Sequence, residues 1–225
     1  NYFKTYTNFK SKVYTSFTSF KNDPNRKEYS TVYLTQTDFD NGTVRLRWPA
    51  YYIFNENIVF NPNPGLLSEG GKDWMPTQEQ MSGGKDAEYP GMPHGPYDLG
   101  FFAAITVEAK NILINLNGYT LCQSKEHHIQ QRFYANIELA STPFIPKQGP
   151  ANFGDSIVSA DNCWITNGYL GLSSHHGIHG NGMKNCIIEN LNIYDYEVGA
   201  ISINGGENIV TRNVHSTNVL NYIPI

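Results

Sequence analysis

The hydrophobic positions of this chain carry two periods at once. Within short stretches apolar and polar residues alternate, which marks a strand with one buried face. The stretches themselves recur: Asn162-Cys163-Trp164-Ile165-Thr166-Asn167 returns as Asn185-Cys186-Ile187-Ile188-Glu189-Asn190, then at the same interval as Asn208-Ile209-Val210-Thr211-Arg212-Asn213. A unit this short cannot bury a core alone. The copies must therefore stack, and the period predicts one turn of a coil per unit.

In such a stack, residues one period apart lie directly above one another at about 4.8 Å. Ile178 with Ile201, Leu170 with Ile193 and Ser216, Gly168 with Leu191 and Val214, and Cys163 with Cys186 and Ile209 form inward columns. Ile157 and Ile203 end a further column that passes through Gly180. Outward columns run Thr166–Glu189–Arg212, Tyr169–Asn192–His215 and Asp161–Lys184–Glu207, the last alternating in sign. Opposite charges on neighbouring strands contribute about 0.2 to 1 kcal/mol per pair. Asn162, Asn185, Asn208 and Asn167, Asn190, Asn213 make two columns where the chain must turn. Asn tolerates left-handed backbone, and its stacked amides bond along a ladder.

The run Gly-Ile-x-x-x-Gly-x-x-Asn-Cys-x-Ile-x-Asn-Leu-x-Ile from Gly177 to Ile193, and its neighbour from Gly199 to Ser216, resemble the right-handed parallel β-helix proteins of the pectate-lyase-like superfamily. The resemblance covers the second half of the chain and, more loosely, residues 101–121. It implies an all-β, single right-handed parallel β-helix, here with about 23 residues per turn. It leaves activity open, since the superfamily includes lyases, hydrolases, epimerases, phage tailspikes and structural proteins.

Read in order, residues 1–42 form an N-terminal cap or arm and residues 43–225 the β-helix, with a loop insertion at 61–100. Phe3, Tyr6, Phe9, Tyr14, Phe17 and Phe20, spaced near three, suit a short helix that caps the coil, or an assembly arm. Strands are expected at Ser30 to Leu34 and Gly42 to Trp48, and Tyr51 to Phe60 reads as the first full rung. The Pro- and Gly-punctuated insertion carries Trp74, Tyr89, His94, Tyr97 and Asp98. It reads as a lid, a subunit contact or a plain surface loop. The span from Asn111 to Asn162, two periods plus a remainder, predicts an intermediate rung at Arg132 to Leu139, with Ser141 to Phe153 as a looped excess.

The chain has 225 residues, a net charge of -4 and only 16% charged residues. This balance argues against a nucleic-acid partner. A surface rich in Asn, Ser, Thr and Tyr suits polysaccharide or glycan partners, and equally a plain solvated β surface. No apolar run is long enough to span a bilayer and no signal peptide opens the chain, so no membrane insertion is expected. Cys122, Cys163 and Cys186 give no disulfide framework; stacked Cys163 and Cys186 read as buried thiols or a cross-rung bond. Asn41-Gly42-Thr43 is a lone glycosylation sequon. The coil still runs at Val214, which predicts further rungs or other subunits at that end.

Chemistry concentrates in Ser174 to Gly182, which holds His175, His176 and His179. With Ile178 inward, alternation puts His179 outward on an exposed strip between Ser156 and Ser202, with His175 and His176 at its edge. Three close imidazoles suit a general base, a weak metal site, or a polar strip without catalysis. The resemblance implies that enzymes of this kind place catalytic groups on one exposed strip. The Gly-His-Gly and Arg-x-Lys motifs of polygalacturonases are absent. A lyase would need calcium and clustered carboxylates, for which Asp155, Asp195 and Glu197 are the candidates. The catalytic set is then His179 with Asp195 and Glu197. The latter two share a face at spacing two, interleaved with Tyr194 and Tyr196. Tyr169, Asn192, Tyr194, Tyr196 and His215 are the candidate carbohydrate-binding residues. His127 and His128 read as surface loop, and Arg132 and Glu138 as a pair flanking one rung. Two functions follow: a structural or attachment protein presenting a glycan-binding face at a virion or cell surface, or a polysaccharide lyase, glycoside hydrolase or epimerase.

Overall fold

The computed structural model describes residues 12–40, 43–61, 102–125, 134–139 and 159–218. Along them run β1 (Val13–Tyr14), α1 (Phe17–Lys21), β2 (Ser30–Leu34), α2 (Gln36–Phe39), β3 (Val44–Leu46), β4 (Ala50–Phe54), β5 (Ile58–Phe60), β6 (Phe102–Val107), β7 (Leu113–Asn115), β8 (Thr120–Gln123), β9 (Tyr134–Leu139), β10 (Trp164–Ser173), β11 (His176–Asn181), β12 (Ile187–Tyr196), β13 (Gly199–Asn204) and β14 (Val210–Thr217). The protein is all-β, with parallel pairing throughout the described strands. One sheet runs β1-β2-β4-β7-β10-β12-β14 with β5 and β8 joined at β10; the other runs β13-β11-β9-β6-β3. Apart from β1 and β2, sequence neighbours are thus not sheet neighbours, the stacked connectivity that a β-helix-like coil requires. No helix among the described residues is long and apolar enough to cross a membrane.

The interior follows from alternation. Val32, Tyr52, Ile114, Ile165 and Ile188 stand in one buried column, and Ile105, Ile137 and Ile178 in another. Each such side chain contributes about 1.5 to 3 kcal/mol on leaving water. The inward and outward columns expected for β10, β12 and β14 hold position by position, as Gly168↔Leu191↔Val214 and Tyr169↔Asn192↔His215 show. Cys163 and Cys186 are buried free thiols. The first sheet reaches back to Val13, so stacking begins well before Tyr51. There Ser16 caps α1 by accepting the Ser19 amide, and buried Phe17 and Phe20 pack on Trp48 and Tyr52.

The corners are made by asparagine in the left-handed region. Asn162, Asn185 and Asn208 have φ of 56° each, and Asn167, Asn190 and Asn213 have 60°, 55° and 50°. The amides form ladders: Asn208 donates to Asn185, and Asn213 to Asn190, each at 3.1 Å. The charged column holds as well, with Lys110 on Asp161 at 3.3 Å and Lys184 on Glu207 at 2.6 Å.

One expectation is overturned. Leu113 pairs directly with Trp164, and Asn162 donates to Asn111 across 51 residues, so no rung intervenes. The stretch around β9 is the third side of the same turn, paired with β6 and β11. Extra chain adds loop length while leaving the stack of corners intact, so a residue count alone could not separate one long turn from two short ones. The 61–100 insertion beyond Asn61, the first eleven residues, His127, His128, Arg132, Ser141 to Phe153 and Ile157 lie outside the described residues.

Asn190→Ala should destabilise by about 1 to 3 kcal/mol, because alanine lacks the local bonding that tolerates this backbone. Asn190→Gly should recover most of that loss, leaving only the exposed ladder bond. Urea midpoints of the two variants test this; equal losses would make the amide bond, and not the backbone, the source.

Candidate functional site

On the second sheet, alternation turns Arg45, Thr106, Glu138, His179 and Ser202 away from the interior, and register stacks them in that order. Although outward, most of this column is buried. The Glu108 carboxylate accepts from Arg45 Nε at 2.6 Å, Arg47 Nε at 3.0 Å and the Thr106 hydroxyl at 2.9 Å. Buried charges are tolerated only when paired in this way.

His179 stands next along. Its Nδ1 lies 2.7 and 2.9 Å from the two Glu138 carboxylate oxygens, and the residues are only 3% and 4% exposed. The expected neighbour Ser202 is in place. Glu138, however, takes the other side, and the expected exposure is absent. Ser156 lies outside the described residues. A carboxylate holding Nδ1–H fixes the imidazole tautomer and orients Nε2, the arrangement of an acid–base dyad. Burial pushes the Glu138 carboxyl above its ordinary value, and His179 pulls it back.

The His176 ring stacks on His179 at 5.1 Å, 9° from parallel, and meets the His175 ring at 3.9 Å. Burial lowers His175 to about 4, with the charge of His179 second. It lowers His176 to about 3, helped by His175 and His179. Both are neutral at physiological pH. Among the described residues no group of three His, Cys, Asp or Glu side chains is arranged to hold a metal ion.

Asp195 and Glu197 belong to the other sheet's β12 and the turn after it, and the acid that meets His179 is Glu138. Asp195 has φ of 50°, and Leu172 one turn earlier has 45°. This break ends the alternation that was to give Asp195 and Glu197 a common face. Tyr196 packs against the core and its hydroxyl lies 2.7 Å from Ser216 Oγ, whereas Tyr194 turns outward. Burial raises the Glu197 carboxyl, and the Glu197 amide donates to Ser173. Asp155 lies outside the described residues.

The candidate carbohydrate residues are better gathered. Thr120, Tyr169, Asn192 and His215 form one outward column after the Asn167 corner. Cys122, Gly171, Tyr194 and Thr217 form the next. The Tyr194 ring lies across Gly171, where a Cβ would stand 2.2 Å from it. Tyr169 is 42% exposed. The constant spacing of 23 residues, the same that separates Asn190 from Asn213, made this surface legible. Glu138 was missed because it sits 41 residues from His179, out of phase with the repeat. The available signal was the likeness of Ile137-Glu138-Leu139 to Ile178-His179-Gly180.

No protein-family model matches the chain, and none of the curated proteins or solved structures compared with it does either.

Between pH 6.5 and 4 the folded chain keeps His175 and His176 neutral while the unfolded chain protonates them, so unfolding takes up protons and their contribution to stability is lost as the pH falls. Glu138 and Glu197, raised by burial, act in the opposite sense as they retain protons in the fold. His176→Gln isolates one contribution: it should remove about one proton from the uptake, or about 1.4 kcal/mol per pH unit, over that window. Urea midpoints against pH test this, and an unchanged slope would show that His176 does not titrate on unfolding.

Proposed function

We propose that the chain is a right-handed parallel β-helix of the pectate-lyase-like kind, with the 23-residue interval of its Asn185–Asn208 and Asn190–Asn213 ladders as one turn. Its role is that of a structural or attachment protein that binds glycan on one face within a larger assembly at a virion or cell surface. The observation that carries this reading is the Tyr194 ring laid over Gly171 beside half-exposed Tyr169, with Asn192, His215 and Thr217 in register around them. Aromatic faces match the apolar face of a sugar ring, while amide, imidazole and hydroxyl groups match its hydroxyls. Register fixes all of them on paired strands, so little ordering entropy opposes binding.

The alternative, a polysaccharide lyase, glycoside hydrolase or epimerase, is favoured by one observation, the His179–Glu138 pair. Attachment is preferred because both members are buried and bonded to each other, on a different sheet from the tyrosines.

A panel of neutral and acidic polysaccharides, with and without calcium, tests the two readings. Tyr194→Ala should weaken binding at least about tenfold, or about 1.4 kcal/mol. Gly171→Ala should do the same with little loss of stability, since the new methyl meets only the far end of the Tyr194 side chain. No unsaturated or reducing ends should form. Product that vanishes in both His179→Ala and Glu138→Gln would replace this reading with the enzymatic one.

A further inference from the structure

We infer that Cys163 and Cys186 are the site of a cross-turn disulfide, formed under oxidising conditions, that staples two successive turns of the coil. The bond is independent of the glycan face and of its occupant. Trp164 pairs with Ile187, so the cysteines that precede them stand one turn apart in a single column. Backbone bonds of equal length stack that column: Trp164 donates to Ile112, Ile187 to Cys163 and Val210 to Cys186, each at 2.9 Å. The two Cα atoms are therefore about one strand spacing apart, about 4.8 Å. A disulfide spans about 4.4 to 6.8 Å between Cα atoms.

Orientation matches as well as distance. The preceding corners, Asn162 and Asn185, share a φ of 56°, so the two cysteines enter their strands in the same way. Both side chains point inward, at 1% exposure each, and their thiols hydrogen-bond each other. Their other partners are weak: Cys163 Sγ lies 3.7 Å from the Asp161 carbonyl, and Cys186 Sγ 3.4 and 3.5 Å from those of Ala160 and Lys184. Thiols are poor donors, so an S–S bond gives up little there. Cys122 is placed otherwise. It lies level with Gly171 on the outward side of β8, far along the strand from Cys163 and directed away from the interior. Side chains that point apart cannot be bridged, so of the three pairings open to three cysteines the register admits one.

The oxidant is a low-molecular-weight disulfide, such as that of glutathione. One cysteine thiolate attacks a sulfur of that disulfide and expels a glutathione thiolate. The other thiolate then attacks the protein sulfur of the mixed disulfide and expels the second glutathione. Two protein thiols are oxidised to one disulfide, one glutathione disulfide is reduced to two thiols, and the protons pass between them through water. Exchange takes place as the two turns close or transiently open, since in the closed coil both sulfurs are shielded. The same shielding keeps reductants from the finished bond.

Equilibration of the full chain in buffers of oxidised and reduced glutathione, once folded and once in concentrated urea, tests this. Acid quenching, alkylation and peptide mapping report which cysteines are joined, and circular dichroism confirms the fold. In the folded chain Cys163 should be joined to Cys186, with Cys122 free or carrying glutathione. The equilibrium constant for that bond should be at least about tenfold larger in the folded chain than in urea. That ratio measures how far bond and fold favour each other, and tenfold is about 1.4 kcal/mol. Cys122→Ser, on the outward side, should leave the ratio unchanged. A ratio below tenfold, a bond through Cys122 in the folded chain, or Cys163 and Cys186 still reduced in the folded chain at equilibrium would each overturn the inference.

Discussion

Everything in this structure depends on corners that stack. A parallel strand finds its partner one full turn away along the chain, so its hydrogen bonds form only if every turn bends at equivalent positions. Asparagine meets that demand twice over. It occupies the left-handed region at modest cost, and its amide bonds the asparagine one turn away, as in the Asn185–Asn208 and Asn190–Asn213 pairs. Once corners are aligned, the side of each strand that faces inward is fixed, and a one-residue slip would expose Ile165, Ile188 and Ile193 together. Close approaches sharpen the register. A Cβ on Gly168 would stand 2.6 Å from the Tyr119 carbonyl, and one on Gly177 2.6 Å from that of Ala200, both backbone atoms with little room to move.

The same geometry sorts the outward residues into three surfaces of different chemistry. The first carries an apolar stripe of Tyr51, Leu113, Trp164, Ile187 and Val210 between two rows of mixed charge. The second carries tyrosines among amide, hydroxyl and imidazole groups. The third carries Arg45, Glu108, Glu138 and His179, paired and buried. Neighbouring strands inherit these characters because a column is a vertical property: each residue is opposed by those directly above and below it. Surface function in such a fold is therefore written once per period, whereas a globular fold scatters it.

That explains how much could be read from the chain. Where the repeat runs without interruption, from Asp161 to Thr217, the columns, the Asn corners and the Lys184–Glu207 pairing were legible residue by residue. Phase is lost where chain is inserted. The 51 residues from Asn111 to Asn162 equal two periods plus a remainder, and only the direct Leu113–Trp164 pairing identifies them as one turn. Glu138 escaped notice as the partner of His179 for that reason. Alternation failed separately at Asp195, whose left-handed backbone leaves Tyr196 against the core, while Tyr194, next after inward Ile193, still faces outward. Asparagine advertises such a corner; Leu172 and Asp195 do not.

The His179–Glu138 pair bears on why we propose binding rather than catalysis. A general base must reach its substrate, and its carboxylate partner must stay charged to raise its basicity. Here burial works against both requirements, since the pair is shielded and Glu138 is pushed toward its neutral form. Energetically the pair resembles its neighbour Arg45–Glu108, a buried ionisable couple whose removal by halves would leave an uncompensated group. Such couples fix the register of polar columns that apolar packing cannot specify. The second face asks for no proton transfer at all. Its Tyr194 and Tyr169 rings are held on paired strands, and rigidity of that kind serves recognition directly.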